Sequence, residues 1–288
     1  MNTAAGTFPR RESLLVRLET TEGAGSACGE CAPWPGFGLE SLPDAENFLR
    51  GLGGRVPEKI PAALPCLAHA FSSARFFLEN PDAARDTPAL PPPQERAQLL
   101  RRAPRDDTGK LLADAAREHD NGFSVFKIKI GLAPQRDELR FCEKILADAP
   151  AGTRFRFDAN GALSADVLPA LAGLSRVPAL EFFEQPLPPS QDNDARTFAA
   201  ADALGARLAL DESVRADPGA FPRDTRVVAV VKPLFVSDFP ALIAWLAEPR
   251  GADVVVSTAF ENSPAGTLAL RLACARLAPA RRRAFGLG

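Results

Sequence analysis

Short apolar runs recur through the last two thirds of the chain, and all but the last carry a polar residue of a definite kind at or next to their end. They lie at 124–130 (SVFKIKI), 154–158 (RFRFD), 180–184 (LEFFE), 207–211 (RLALD), 227–232 (VVAVVK), 253–258 (DVVVST) and 284–288 (AFGLG). Ala- and Leu-rich helical stretches at 135–149, 164–175, 193–204, 238–247 and 264–277 separate them. This alternation predicts parallel βα units, because a parallel strand needs a crossover to return to the same edge. A further strand read at 86–91, inside the Pro-rich stretch DTPALPPPQE (86–95), brings the number to eight. Eight such units in about 200 residues predict an α/β fold of the (β/α)8-barrel type.

Upstream, 13–19 (SLLVRLE) alternates like a strand, TEGAG (21–25) reads as a turn and 26–32 as the returning strand. Helices are expected at 42–51 and 62–79, the second carrying His69 on a mostly apolar stretch, where it reads as structural. The expected organisation is therefore an N-terminal α+β unit over 1–85 and a barrel over 86–288. The net charge of −2 leaves no basic excess for nucleic acid. The opening MNTAAGTFPRRES has no apolar core of a secretory signal, and no run of about 18 apolar residues predicts a membrane span. Five cysteines at irregular spacing argue for a reducing cytoplasm rather than a disulfide framework. Cys28-Gly-Glu-Cys31 lies within a strand rather than opening a helix, so it reads as incidental small residues. The two histidines rule out a three-His zinc site.

The polar strand ends carry the chemistry. In order they are Lys127 and Lys129, Asp158, Glu184, Asp211, Lys232, then Ser257 with Thr258, each step 21 to 29 residues long. A barrel gathers its C-terminal strand ends around one mouth. Three carboxylates would converge there from neighbouring strands and repel one another unless a hard divalent cation such as Mg²⁺ joins them. Lysines flank the carboxylates on both sides. Lys127 and Lys129 are two apart on one strand and point the same way. That arrangement suits removal of a proton next to a substrate carboxylate, with a lysine of lowered pKa as base. The chain has only six lysines against 28 arginines, and three of the six stand at these strand ends. Arginine balances charge but does not give up its proton. Lys59, Lys110 and Lys144 read as solvated charges.

As a set, these motifs resemble the enolase superfamily, and its muconate-lactonizing branch in particular. The matching stretches are Lys127-Ile128-Lys129, RFDANGA with Asp158 and Asn160, EFFEQPL with Glu184, LALDES with Asp211 and Glu212, and VVKP with Lys232. The resemblance covers nearly the whole chain and implies that 1–85 is a capping domain. It also implies Mg²⁺, with Mn²⁺ as a substitute, on Asp158, Glu184 and Asp211. Within the branch, GECAPWPGFGLES (29–41), with Phe37, is similar to the capping loop of the o-succinylbenzoate synthases. STAFENSPAG (257–266) is similar to their Ser-rich seventh strand. By that likeness the chain would carry out the syn dehydration of 2-succinyl-6-hydroxy-2,4-cyclohexadiene-1-carboxylate, a small carboxylate of menaquinone biosynthesis. Lys129 would be base and then acid, Lys232 would stay protonated opposite it, and Lys127 would tune Lys129 and contact the substrate carboxylate. Asn160, Glu212, Arg156, Ser257, Thr258 and Phe37 would support the site or touch substrate.

Two departures stand out. The family's first capping strand is mostly missing before Gly6, with the chain stopping within AFGLG, and Ala259-Phe260 is bulkier than the usual pair. The alternatives are a sister activity on the same site (N-succinylamino acid racemase, dipeptide epimerase or muconate cycloisomerase) or a catalytically silent binding barrel. Racemisation needs bases on both faces, and Lys129 with Lys232 supplies them. A dipeptide epimerase would show an acidic pair near the eighth strand, and AFGLG has none.

Overall fold

The computed structural model describes the chain apart from residues 1, 4–5, 8–9, 24, 35–36, 38, 103–106, 190–194, 215–220, 223–224 and 288. Two short segments, β1 (Asn2–Thr3) and β2 (Gly6–Thr7), pair antiparallel. A longer hairpin follows, β3 (Leu14–Glu19) against β4 (Ser26–Cys31). β3 buries every second residue from Val16, as a strand with one wet face should. β4 departs from that period, because Gly29, Glu30 and Cys31 are all buried. The reason is its close approach to a helix: a Cβ on Gly29 would lie 1.9 Å from the carbonyl oxygen of Ala70. The Cys28–Cys31 spacing thus reflects small residues under a helix, and all five cysteines are free thiols.

Helix α1 (Leu42–Leu52) begins with a reciprocal Ser41–Asp44 capping box and ends at Gly53 in the left-handed region. Helix α2 (Pro65–Glu79) lies across the hairpin, with Leu67, Ala70 and Phe71 packing against Val16, Leu18 and Cys31. Its other contacts reach the second half of the chain. His69 Nδ1 donates to the carbonyl of Val236 at 3.0 Å, and its ring stands edge-on to Phe239. Burial pushes its pKa down to about 4, so it is the neutral, structural histidine that its apolar helix implied.

The main sheet has seven strands, all parallel, in spatial order identical to chain order. They are β5 (Ala97–Leu100), β6 (Val125–Lys129), β7 (Arg154–Asp158), β8 (Leu180–Glu184), β9 (Leu208–Leu210), β10 (Val227–Val231) and β11 (Asp253–Val256). A short helix, α3 (Pro81–Asp86), precedes them. Helices α4 (Thr108–Asp120), α5 (Gln135–Ala147), α6 (Leu168–Leu174), α7 (Ala195–Leu204), α8 (Phe239–Ala247) and α9 (Pro264–Arg276) connect or follow them. Phe182, Ala209, Val228, Val230 and Val255 pack together on the inside of the curl. The opposite faces pack on the helices through residues such as Ile128, Phe157, Phe183 and Leu208. Among the described residues, no helix is long and apolar enough to cross a membrane.

Two expectations are corrected. The first parallel strand is Ala97–Leu100, beyond the prolines rather than at 86–91, and α4, unassigned in the sequence, carries the chain to β6. Prolines lack the N–H that a ladder requires, so the run of them stays outside the sheet. Over its described residues, 284–287, the expected strand at 284–288 is not formed either, and residue 288 lies outside the described residues. The segment makes single parallel bridges, Arg96 with Phe285 on one side and Ser257 with Gly286 on the other. Phe285 exchanges hydrogen bonds with Ala97 and Glu95, both 2.8 Å, and Gly286 with Val256 and Thr258, both 2.9 Å. The pairing is too short for a strand, yet this segment touches both edges of the seven-stranded sheet.

Candidate active site

Strand register assembles the site. Lys129 stands beside Asp158 across β6 and β7, and Asp158 beside Glu184 across β7 and β8. Asp211 and Lys232 immediately follow β9 and β10. Lys127 Nζ lies 2.7 Å from Asp158 Oδ2 and 2.8 Å from Glu184 Oε1. Lys129 Nζ donates to Asp158 Oδ2 and Asn160 Oδ1, both at 2.6 Å. Lys232 Nζ pairs with Asp211 from the other end of the row. Asn160 in turn donates to Glu212 Oε1 at 2.9 Å.

Asp158 is fully buried and Glu184 2% exposed. Burial alone would raise the carboxyl pKa of Asp158, but the ammonium groups of Lys127 and Lys129 outweigh it and hold it low. Glu184 goes the other way, to about 7, through burial first and the adjacent Asp158 second. Burial and then Asp211 raise Glu212 as well, and its Oε2 is buried with no hydrogen-bond partner. For Lys127, burial opposes the charge, yet Asp158, Glu184 and Asp211 raise its pKa. A lowered base is therefore not found at Lys127, because each ammonium group sits on carboxylates rather than against its neighbour. For the same reason, among the described residues no three His, Cys, Asp or Glu side chains converge as a ready metal cage. Lysine nitrogens stand between the carboxylates.

These groups open on a cavity of about 110 Å³ that Lys127, Lys129, Asn160, Glu184, Asp211 and Lys232 line together. Phe37, Ser257, Thr258 and Phe260 form its mouth. Lys232 Nζ lies 5.3 Å from the centre of the Phe37 ring. Ser257 Oγ donates to the Gly286 carbonyl and Thr258 Oγ1 to Glu261, so both hydroxyls also hold the rim. Arg156 reaches the cavity floor, but its guanidinium is engaged by buried Glu181 at 2.9 Å and the carbonyl of Ala284 at 2.8 Å. A larger open groove of about 630 Å³ over α2, near Lys59 and Arg75, gathers none of this chemistry.

One residue of the site was passed over in the sequence. Gln185 follows Glu184 in the left-handed region, with φ of 39°, unusual for a side chain of this length. Its amide Nε2 donates to Leu187 O and Ser213 Oγ, both at 2.9 Å. Its Oε1 accepts from the backbone of Asp211 at 3.2 Å and of Ser213 at 3.1 Å. Gln185 thus ties the end of β8 to the end of β9, and with it the spacing of Glu184 and Asp211. A polar amide directly after the fully buried strand LEFFE and before Pro186 was the available signal.

Comparison with known proteins identifies the family to which this fold belongs. Residues 110–221 match the family model for enolase C-terminal domain-like proteins. An o-succinylbenzoate synthase from Enterobacter sp. is 30% identical over 276 residues, covering 91% of this chain and 79% of the relative. The chain belongs to the enolase superfamily. It is a lyase-type enzyme of that superfamily, with o-succinylbenzoate synthases among its relatives. The synthase of Thermosynechococcus vestitus is 30% identical over 219 residues, covering 74% of this chain and, at 64%, just under two thirds of that relative. A crystal structure of the synthase from Thermosynechococcus elongatus, complexed with Mg in the active site, superposes with a TM-score of 0.78 at 26% identity. It covers 100% of this chain and 88% of that one. The superfamily likeness extends over the N-terminal hairpin and helices as well as the parallel sheet.

Proposed function

We propose that this chain is an o-succinylbenzoate synthase-like lyase that dehydrates 2-succinyl-6-hydroxy-2,4-cyclohexadiene-1-carboxylate to o-succinylbenzoate. In this reading the bridges of Phe285 and Gly286 to both sheet edges complete an eight-part barrel over 86–288. Residues 1–85 then form a cap whose Phe37 loop closes the mouth. The enzyme works in a reducing cytoplasm, in keeping with its five free thiols. The observation that carries the reading is the meeting of Lys129, on β6, and Lys232, just after β10, in one cavity with Glu184 and Asp211, while buried Asp158 pairs with Lys129 beside it.

The donor set fits a divalent cation such as Mg²⁺. Three ammonium groups face four carboxyl groups (Asp158, Glu184, Asp211 and Glu212), and Glu184 is raised while Glu212 Oε2 has no partner. Asp158, Glu184 and Asp211 would hold the cation, competing with the lysines for the same oxygens. When bound, it supplies positive charge to the substrate carboxylate and to the negative charge that builds as the α-proton leaves.

The residues of the chain do the rest. Lys129 Nζ takes the α-proton and returns it to the departing hydroxyl on the same face, so the elimination is syn. Lys232 keeps its proton and faces the developing charge from the far side of the cavity. Lys127 holds the substrate carboxylate near Lys129, and Asn160 orients Lys129 through its carbonyl oxygen. Phe37 and Phe260 exclude water.

The lysine pair also favours a second reading, N-succinylamino acid racemisation, in which Lys129 and Lys232 alternate as bases. Purified protein with Mg²⁺, assayed on the cyclohexadiene substrate and on N-succinyl amino acids, separates the two. Turnover of the first with complete loss in EDTA is expected. Turnover of the second alone refutes the synthase assignment, and unchanged activity in EDTA refutes the cation.

A further inference from the structure

Two charged side chains of the N-terminal unit, Arg11 and Glu30, lie outside the cavity lining and bond to the segment that follows Thr258. Glu30, at the buried end of β4, is fully enclosed. Its Oε2 accepts from Ser263 Oγ at 2.6 Å and Ser263 N at 3.2 Å, and its Oε1 from Asn262 N at 3.3 Å. Glu30 therefore grips the start of α9, where Ser263 Oγ accepts from Gly266 N at 3.1 Å. The fit admits nothing larger at that point: a Cβ on Gly266 would lie 2.0 Å from Glu30 Oε2.

Arg11 acts at the opposite end of the same loop. Its guanidinium donates to the carbonyls of Ala32 and Pro33 on one side and, at 3.3 Å, of Ala259 on the other. The Arg11 carbonyl accepts from Asn262 Nδ2 at 2.8 Å. The guanidinium lies over the Trp34 ring, 4.5 Å from its centre. Trp34 meets Phe37 edge-on at 5.9 Å and Phe260 at 5.6 Å between ring centres. Phe260 has φ of 59° and is 40% exposed, a conformation and setting that an aromatic side chain keeps only when neighbours impose it.

We infer that Arg11 and Glu30 are positioning residues that set the aperture of the active site. Glu30 fixes the root of the 257–262 loop, and Arg11 fixes its rim against the wall made by Trp34 and Phe37. The distance between Phe37 and Phe260, and with it the width of substrate admitted beside Lys232, is set by two ionic groups outside the cavity. This rests on the reading of the cavity as the active site.

The test uses the full chain with Arg11→Met, which keeps the stem on Trp34 but removes the donors, and Arg11→Lys, which keeps the charge. Glu30→Gln is the third variant. Arg11→Met should raise KM about tenfold while kcat stays within about threefold, with Arg11→Lys intermediate. Hydrogen exchange in Arg11→Met and Glu30→Gln should quicken in 32–34 and 257–263 and stay unchanged in β6 to β8. KM unchanged in both Arg11 variants, or exchange rising evenly along the chain, overturns the inference. If the unaltered protein turns over no substrate, the proposed function fails, and the exchange pattern alone decides the role of Arg11 and Glu30.

Discussion

Replacing Gly29 by alanine is the severest small perturbation the fold offers. The new Cβ would stand 1.9 Å from Ala70 O, 2.7 Å from Ala70 C and 2.7 Å from Ser73 Oγ. Ordinary contact begins near 3.4 Å, so β4 must retreat from α2 by roughly 1.5 Å. The obstacle is helix backbone, which does not turn aside as a side chain would. Overpacking of a core costs about 1–3 kcal/mol, and a backbone obstacle puts this case at about 3 kcal/mol. For a chain of this size each kcal/mol moves Tm by roughly 2–4 °C, so a loss of about 6–12 °C is expected in thermal unfolding at pH 7. Gly51→Ala is the matched control. Gly51 lies in α1 with nothing within 4 Å of its would-be Cβ, and alanine there should stabilise by about 0.5–1 kcal/mol. A loss below about 2 °C for Gly29→Ala, or equal losses for both variants, would refute the close-approach argument.

Three further outcomes are expected. Lys129→Ala and Lys129→Arg should each lower kcat by about 10²–10⁴ with Tm nearly unchanged, since arginine keeps the charge but takes no proton; full activity in either sinks Lys129 as the base. Gln185→Ala leaves the buried N–H of Asp211 and the half-buried N–H of Ser213 without their acceptor, and Mg²⁺ affinity measured by calorimetry should fall about tenfold, whereas an unaltered affinity would show that Gln185 does not set the carboxylate spacing. His69 stays neutral in the folded state down to about pH 4, while the unfolded chain protonates it near 6.5. The unfolded state then binds more protons through that window, so about 3 kcal/mol is lost as pH falls from 6.5 to 4. Urea titrations of His69→Gln against the unaltered chain should show that portion of the acid sensitivity missing, and identical pH slopes would count against it.

The strand-end residues were legible because each interrupts an apolar run that burial on both faces enforces. Asp158, Glu184 and Asp211 could be read as one set from their spacing alone, since one βα unit separates each pair. The first strand was misplaced because the Pro-rich stretch 86–95 reads as the boundary between the two units and the short apolar run at its start as the first strand. That left 97–123 without a role, although Asp107 caps α4 and Leu111 and Ala115 form its buried face. Arg11 and Glu30 were illegible for a different reason. Their partners lie 21 to 248 residues away in the chain, and no local pattern marks a charge that will be enclosed by such distant backbone. The pairing of each lysine with carboxylates rather than with its neighbour also escaped the sequence, since spacing shows which side chains share a face but not which oxygens they choose.

Because spatial order in the sheet equals chain order, each strand of the main sheet lies beside the strands that precede and follow it in the chain. Lys129, Asp158 and Glu184 therefore come from three consecutive strands, and Lys232 from the end of a later one. The outer edge of β5, however, is met by Phe285, 189 residues after Arg96, and a sheet edge without such a bridge is a template for foreign strands. The residues around 285 thus shield a sheet edge from such pairing, a role independent of any contact they make with substrate.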